Sequence, residues 1–191
     1  VRKQFAELFN ASIFNTDTRN TIISSGRPID ILDISNRDQG YVLEKYSNAK
    51  STGGFGVDQT FVDTDFPLFR LADVYLMYAE AHLRGGAGAN PTDLETYINA
   101  LRTRANNPQN NLTLAQIDLD FILDERSREL HWEAHRRQDL IRYGKFTGGS
   151  YNWAWKGNGT NGLALPTAFK LFPIPSASLA SNPSLSQNNG Y

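Results

Sequence analysis

The sequence contains no cysteine, which excludes disulfides, thiolate chemistry, iron–sulfur ligation and every cysteine-containing zinc site. That absence suits an oxidising cell surface as well as a reducing cytosol, so it assigns no compartment. Histidine is scarce as well: His82, His131 and His135 are the three present, and a three-histidine metal site would consume all of them. Long apolar runs are missing. The longest, Val74 to Ala79, has six residues, against about 20 for a membrane-spanning helix. Charged residues make up 20% and nearly cancel, leaving a net charge of −1, which removes the electrostatic case for nucleic acid or an anionic membrane surface. Acid is missing from one region in particular. Past Asp139, none of the remaining 52 residues has a carboxylate side chain. The chain opens Val-Arg-Lys-Gln with no signal-type apolar stretch, as a mature product or a fragment does. What remains is 191 residues, 40% of them hydrophobic, enough for one domain with a sizeable core.

Residues 1–66 are polar and loop-rich. Ile29–Ile34 and Tyr41–Tyr46 are candidate short strands, bounded by turn residues at Gly26-Arg27-Pro28, Asp38-Gln39-Gly40 and Gly53-Gly54. Residues 67–144 read as helix. Pro67 suits a first helical turn, and Leu68, Leu71, Tyr75, Tyr78, Ala79 and Leu83 recur at helical spacing before Gly85-Gly86. Asn90 and Pro91 make an N-cap and first position for a second helix with Leu94, Ile98 and Leu101 on one face. Thr113 with Gln116 forms a capping box for a third. The predicted spans are about 67–84, 91–105 and 114–143, the last either continuing or restarting through 135–143. From 144 on, glycines and prolines dominate, and Phe169–Pro175 reads as an extended edge piece because Pro173 and Pro175 cannot donate to a ladder.

Three features bear on chemistry. His131 and His135 stand at i and i+4 with Glu133 between them. The order differs from a zincin motif, in which the glutamate directly follows the first histidine, and the reading adopted is a hydrogen-bonded pair with no metal. Glu125, Glu129 and Glu133 form a row of like charge that needs arginines to answer it; Arg126, Arg128, Arg136 and Arg137 are nearby in sequence. The pattern predicts an ion-pair network rather than the facing carboxylates of a glycosidase. Tyr151, Trp153 and Trp155 alternate between glycine clusters. In an extended segment their rings share one side, either as a lid over a helix or as a platform on which a ligand stacks. No phosphate loop, nucleophile elbow, kinase signature or calcium loop is present.

Five ordered blocks carry a family resemblance: Phe69–Ala81, Ile98–Ala105, Ile122–Leu130, Arg136–Gly144, and the end, Leu171–Pro175 with Asn182–Tyr191. Together they resemble the SusD/RagB family of outer-membrane nutrient-binding lipoproteins, and the chain looks like the C-terminal portion of one (residues 67–191 as its C-terminal domain). The resemblance implies a mainly α fold: a tetratricopeptide-like helical scaffold packed with irregular loop-rich segments and a few short strands. It also implies noncatalytic binding of glycan or another oligomeric nutrient at the bacterial surface and delivery to a TonB-dependent, SusC-like transporter. No cofactor and no metal are implied. The membrane is reached only through an N-terminal lipid anchor absent from this sequence. Within the helices, Asp73, Glu80, Arg126, Arg128, Glu129 and Arg136 are the candidate structural ion pairs. The candidate ligand contacts, chosen from chemistry, are Tyr151, Trp153 and Trp155, then Tyr41, Tyr46 and Phe55. The alternatives are a glycoside hydrolase-like enzyme and a purely structural helical-repeat docking module.

Overall fold

The computed structural model describes residues 1–10, 12–58 and 60–191. They divide into two compact units, 1–136 and 137–191. The architecture is mainly α, as expected.

In the first unit a short helix α1 (Lys3–Ala6) is followed by 3-10 turns and a minimal antiparallel pair, β1 (Ile22–Ile23) with β2 (Val42–Leu43), in which Ile22 faces Leu43. The Tyr41–Tyr46 expectation is thus met in part. Ile29–Ile34 is not a strand: its alternating pattern is overridden because Gln39 Oε1 accepts from the amides of both Leu32 and Asp33, at 2.7 and 2.9 Å, while the Asp33 side chain turns back onto Ser35.

The core of this unit is built by α2 (Leu71–Leu83), α3 (Pro91–Arg104) and α4 (Leu119–Leu130). Ala72, Leu76 and Ala79 from α2, Leu94, Ile98 and Leu101 from α3, and Ile122 and Leu130 from α4 are buried together, with Leu112 and Ile117 from the connection. Tyr75 stacks on Tyr97 with ring centroids 4.3 Å apart. Asn90 caps α3 by accepting from the Thr92 amide, with Pro91 at the first position, and the Asn90 amide donates to Tyr78 Oη. Gly85 and Gly86 stop α2: the Gly85 amide donates to His82 O at φ +85°, the Gly86 amide donates to Ala81 O, and a Cβ on Gly86 would lie 2.8 Å from that oxygen.

Two helix boundaries differ from the periodicity. Helix α2 begins at Leu71 rather than Pro67; Arg70 is extended at φ −135° because its side chain is committed to Glu129 and Glu133, and Leu68 is 72% exposed, outside the apolar stripe. The expected helix over 114–143 is three pieces. The Thr113–Gln116 capping box is formed, but it closes a 3-10 turn (Leu114–Gln116). Helix α4 is capped separately by Asp118, whose Oδ1 accepts from Phe121 N at 2.7 Å. It ends at Leu130, and α5 (Arg136–Arg142) restarts after a turn in which Trp132 and Ala134 both sit at φ 63°. Lys45 forces the stop: its Nζ donates to the main-chain oxygens of Glu129 and His131 at 3.0 and 2.8 Å, supplying partners for carbonyls at the helix end. The left-handed conformation at Ala134 costs about 1 kcal/mol that glycine would not bear. Ala134→Gly, at an exposed position, is therefore expected to raise unfolding stability by up to about that amount in urea titration.

The second unit, from Arg137, is loop-rich. The Arg137 guanidinium lies over the rings of Phe146 and Phe172, at 4.9 and 4.2 Å, and donates to Phe169 O. Between Pro173 and Pro175, Ile174 has the one amide available to bond, and Gln187 takes it: Ile174 N donates to Gln187 Oε1, and Gln187 Nε2 donates back to Ile174 O. A short helix α6 (Ser176–Ser181) follows the prolines. Tyr191 stacks on Phe169 and donates through its hydroxyl to Leu171 O, holding down the end of the chain.

Candidate functional site

Helix α4 buries charge as well as leucine. Glu125 is fully buried and accepts from Arg19, Arg102 and Arg128 at 2.8, 3.0 and 2.9 Å. Glu129, 2% exposed in its side chain, accepts from Arg19, Arg70 and Arg104. Glu133 lies in the turn after α4 and accepts from Arg70 and Lys45. Asp17 completes the network through Arg19 and Asn107. The expected answer to the glutamate row was Arg126, Arg128, Arg136 and Arg137; only Arg128 is among the partners named. Most partners come from far off in sequence, above all Arg19, Lys45 and Arg70. Nothing in residues 1–66 marked Arg19 or Lys45 for this role, since sequence distance carries no pairing signal for isolated cations. The N-terminal segment also places Phe14 over Arg128 and Arg102, at 4.8 and 5.9 Å.

The other candidate ion-pair residues are placed as follows. Asp73 accepts from Arg126 at 2.7 Å, and Glu80 from Arg84 one turn on. Arg136 donates to Leu123 O.

Electrostatics follow from this wiring. Burial by itself would raise the Glu125 carboxyl, but Arg128, Arg19 and Arg102 overcome it and hold the group at about 2. The same carboxylates, working against burial, push Arg19 up. His131 is the opposite case. Burial, then the nearby Lys45 charge, pushes its imidazole down to about 4. The expected His131–His135 pair on one helical face does not exist, because α4 has ended and His131 is extended at ψ 145°. Its Nδ1 lies 2.8 Å from Arg128 O; a carbonyl only accepts, so Nδ1 carries the proton and Nε2 presents a lone pair. Among the described residues, no group of three or more His, Asp or Glu side chains is arranged to hold a metal ion.

A pH dependence follows for His131. Its folded value is below its unfolded one, near 6.5, so the unfolded chain binds the proton first. The contribution is complete above about pH 6.5 and is lost as pH falls through 4, amounting to about 3 kcal/mol over that window. His131→Phe, which keeps a ring against Phe5 (centroids 5.3 Å apart), is expected to flatten the pH 4–6.5 part of the stability curve in urea titrations.

The ion-pair network borders a cavity of about 320 Å³ in the first unit, lined by Thr18, Arg19, Thr21, Lys45, Tyr46, Pro67, Arg70, Arg104, Glu129, His131 and Glu133. Tyr46, one of the aromatic candidates, is on its wall. Tyr41 is half-buried, and its main-chain oxygen accepts from the Val1 amino terminus. Phe55 is 81% exposed and lies at an isolated bridge to Ala49.

In the second unit, Tyr151, Trp153 and Trp155 are all half-buried. They do not form one extended stripe. Trp155 sits in a turn at φ 65°, which turns the backbone before a third ring can line up. Tyr151 and Trp153 remain neighbours, with centroids 6.3 Å apart and planes tilted by 57°, and Phe146 stands 6.1 Å from Trp153. The loop is organised by Lys156, 1% exposed. Its Nζ donates to Gly148 O and Tyr151 O, each at 2.7 Å, and lies 4.8 Å from the Trp153 ring centroid. In a segment without carboxylates, carbonyl dipoles and a ring face hold this ammonium, and burial lowers its pKa. The result is a pair of tilted aromatic rings on a loop braced by a buried lysine.

Comparison with known proteins places the chain. Residues 4–191 match the model of the SusD family. The chain is 40% identical over 158 residues to the starch-binding protein SusD of Bacteroides thetaiotaomicron, covering 83% of this chain and 27% of that protein. Among solved structures it is similar to a SusD superfamily protein from Bacteroides vulgatus (32% identity, TM-score 0.53, 71% of this chain and 30% of that one). Its fold is also similar to that of surface glycan-binding protein A from Bacteroides uniformis (24% identity, TM-score 0.60, 97% of this chain and 39% of that one). The chain thus spans well under half the length of these relatives. No helix among the described residues is long and apolar enough to cross a membrane. With the family match running from residue 4 to the last residue, the chain belongs to the SusD family.

Proposed function

We propose that the protein binds glycan, or another oligomeric nutrient, without cleaving it, at the outer surface of a bacterial outer membrane. It is lipid-anchored to that membrane, and it passes the ligand to a TonB-dependent, SusC-like transporter. The observation that carries the reading is the 40% identity to a protein named for starch binding. The buried glutamates support the noncatalytic part: Glu125, Glu129 and Glu133 are each engaged by two or more cations, which suits structural carboxylates rather than an acid kept protonated for catalysis. Tyr151 and Trp153 are the proposed contacts for sugar faces, with Trp155, Tyr41, Tyr46 and Phe55 as further candidates. Affinity electrophoresis through gels containing candidate polysaccharides tests this. Retardation by at least one glycan is expected, with a loss of about tenfold or more in affinity for Trp153→Ala, the order of one stacked ring. Retardation unchanged in Trp153→Ala and Trp155→Ala would move the site off this loop. For the transporter, co-purification of a TonB-dependent barrel with the membrane-anchored protein is the expected result, and its absence counts against delivery.

A docking role has its own support: Phe66, Leu68, Phe69 and Leu71 are all more than half exposed, an apolar run of the kind that marks protein contact.

A further inference from the structure

In the second unit a single ammonium is tied to three separate parts of the aromatic loop. Lys156 is 1% exposed. Its Nζ donates to Gly148 O and Tyr151 O at 2.7 Å each and stands 4.8 Å from the Trp153 ring centroid. An ammonium has three hydrogens to place; two carbonyls and one ring face answer them here. Gly148 marks the base of the loop, where its amide donates to Leu165 O in an isolated antiparallel bridge. Tyr151 and Trp153 are the two rings that remain neighbours, 6.3 Å apart and tilted by 57°.

The main chain bends around the lysine to allow this. Trp155 and Gly157, on either side of it, sit at φ 65° and 61°, a conformation that disfavours a bulky residue such as tryptophan. The Leu163 amide donates to Lys156 O at 2.9 Å, and a Cβ on Gly162 would lie 2.5 Å from Trp153 O. No carboxylate is paired with Lys156 among the described residues; carbonyl dipoles and a ring quadrupole stand in its place. An apolar side chain of similar volume would pack there without desolvating a charge. What it could not do is fix three directions at once.

We infer, resting on the reading of Tyr151 and Trp153 as glycan contacts, that Lys156 is the positioning residue of that site. It touches no sugar itself; it holds the two rings in one mutual orientation before the ligand arrives. A loop that must order its rings on binding gives up affinity for each side chain it immobilises. A loop already tied through Lys156 does not.

The test compares Lys156→Met with Trp153→Ala and Gln187→Leu by affinity electrophoresis through gels of soluble starch, xylan and pectin. Methionine keeps most of the stem volume and removes all three contacts. Gln187→Leu breaks the paired bonds to Ile174 elsewhere in the second unit and serves as the stability control. For a glycan that retards the wild type, Lys156→Met is expected to bind about tenfold more weakly, the order of two side chains left to be immobilised. Gln187→Leu is expected to bind as wild type even where its melting temperature falls as far. A lysine that only stabilised the fold would lower the melting temperature of Lys156→Met and leave the affinity of its folded fraction unchanged. With 5-fluorotryptophan incorporated, the Trp153 fluorine resonance is expected to shift or broaden in Lys156→Met while that of Trp132, in the first unit, stays in place. Should methionine unfold the second unit, Lys156→Gln, which keeps an amide donor and drops the charge, carries the same comparison. Wild-type affinity in the folded Lys156 variant, beside a weakened Trp153→Ala, overturns the inference and leaves the glycan site standing. Unchanged affinity in Trp153→Ala, or no retardation of the wild type by any polysaccharide tried, removes the site and the inference with it.

Discussion

Glu125→Gln is expected to destabilise the protein by about 3 kcal/mol at neutral pH, at the low end of the cost of breaking a buried ion pair. The change is nearly isosteric, so packing is retained and the loss is electrostatic. Arg19 keeps Asp17 and Glu129 as partners, and Arg102 keeps Asn107 and the Gln109 carbonyl; this compensation is why the upper end of the range is not expected. The pH dependence makes the prediction specific. The Glu125 carboxyl is held at about 2, below its unfolded value near 4.5. Its stabilisation is present above pH 4.5 and is lost as pH falls through 2, at about 3 kcal/mol for the full window. In urea titrations the gap between wild type and Glu125→Gln should be widest above pH 4.5 and close toward pH 2. A constant gap would mean that shape, not charge, sets the cost.

Lys45→Met is the second large effect. Three interactions end together: the ion pair to Glu133 and the donations to Glu129 O and His131 O. Methionine fills most of the stem volume, but two carbonyls at the end of α4 lose their donor. About 2–3 kcal/mol of destabilisation is expected, less than the sum of separate charged hydrogen bonds because Arg70 still holds Glu133. A second readout comes from His131. Burial and the Lys45 charge lower its imidazole, so removing that charge should move its titration upward in NMR. A His131 titration that stays in place would separate the two groups electrostatically.

These two residues also show what was legible in the sequence. Local signals were readable: Asn90 with Pro91 marked the start of α3, Gly85-Gly86 the end of α2, and Leu94, Ile98 and Leu101 a core face, because each acts within a turn or two of its own position. Glu125 was recognisable as a carboxylate needing cations. Which cations was not. Arg19 and Lys45 approach α4 from more than 80 residues away in sequence, and only tertiary contact selects them. The same long-range bonds account for the helix-boundary differences, since Lys45 ends α4 at a place where the apolar pattern runs on and Arg70 delays α2. The aromatic loop shows the limit of period-two reasoning. Tyr151 and Trp153 follow it as neighbours, but the turn around Lys156 takes Trp155 out of line, and nothing in the alternation announces a buried lysine. The cavity was the least legible feature of all, because Thr21, Tyr46, Arg104 and His131 share no local pattern.

The most direct test of the functional account is a panel of polysaccharides, starch included, incubated with the protein and followed for both retention and reducing-end release. The account predicts saturable retention of at least one glycan with no new reducing ends. Steady release of reducing ends would contradict it, and so would a panel in which nothing is retained.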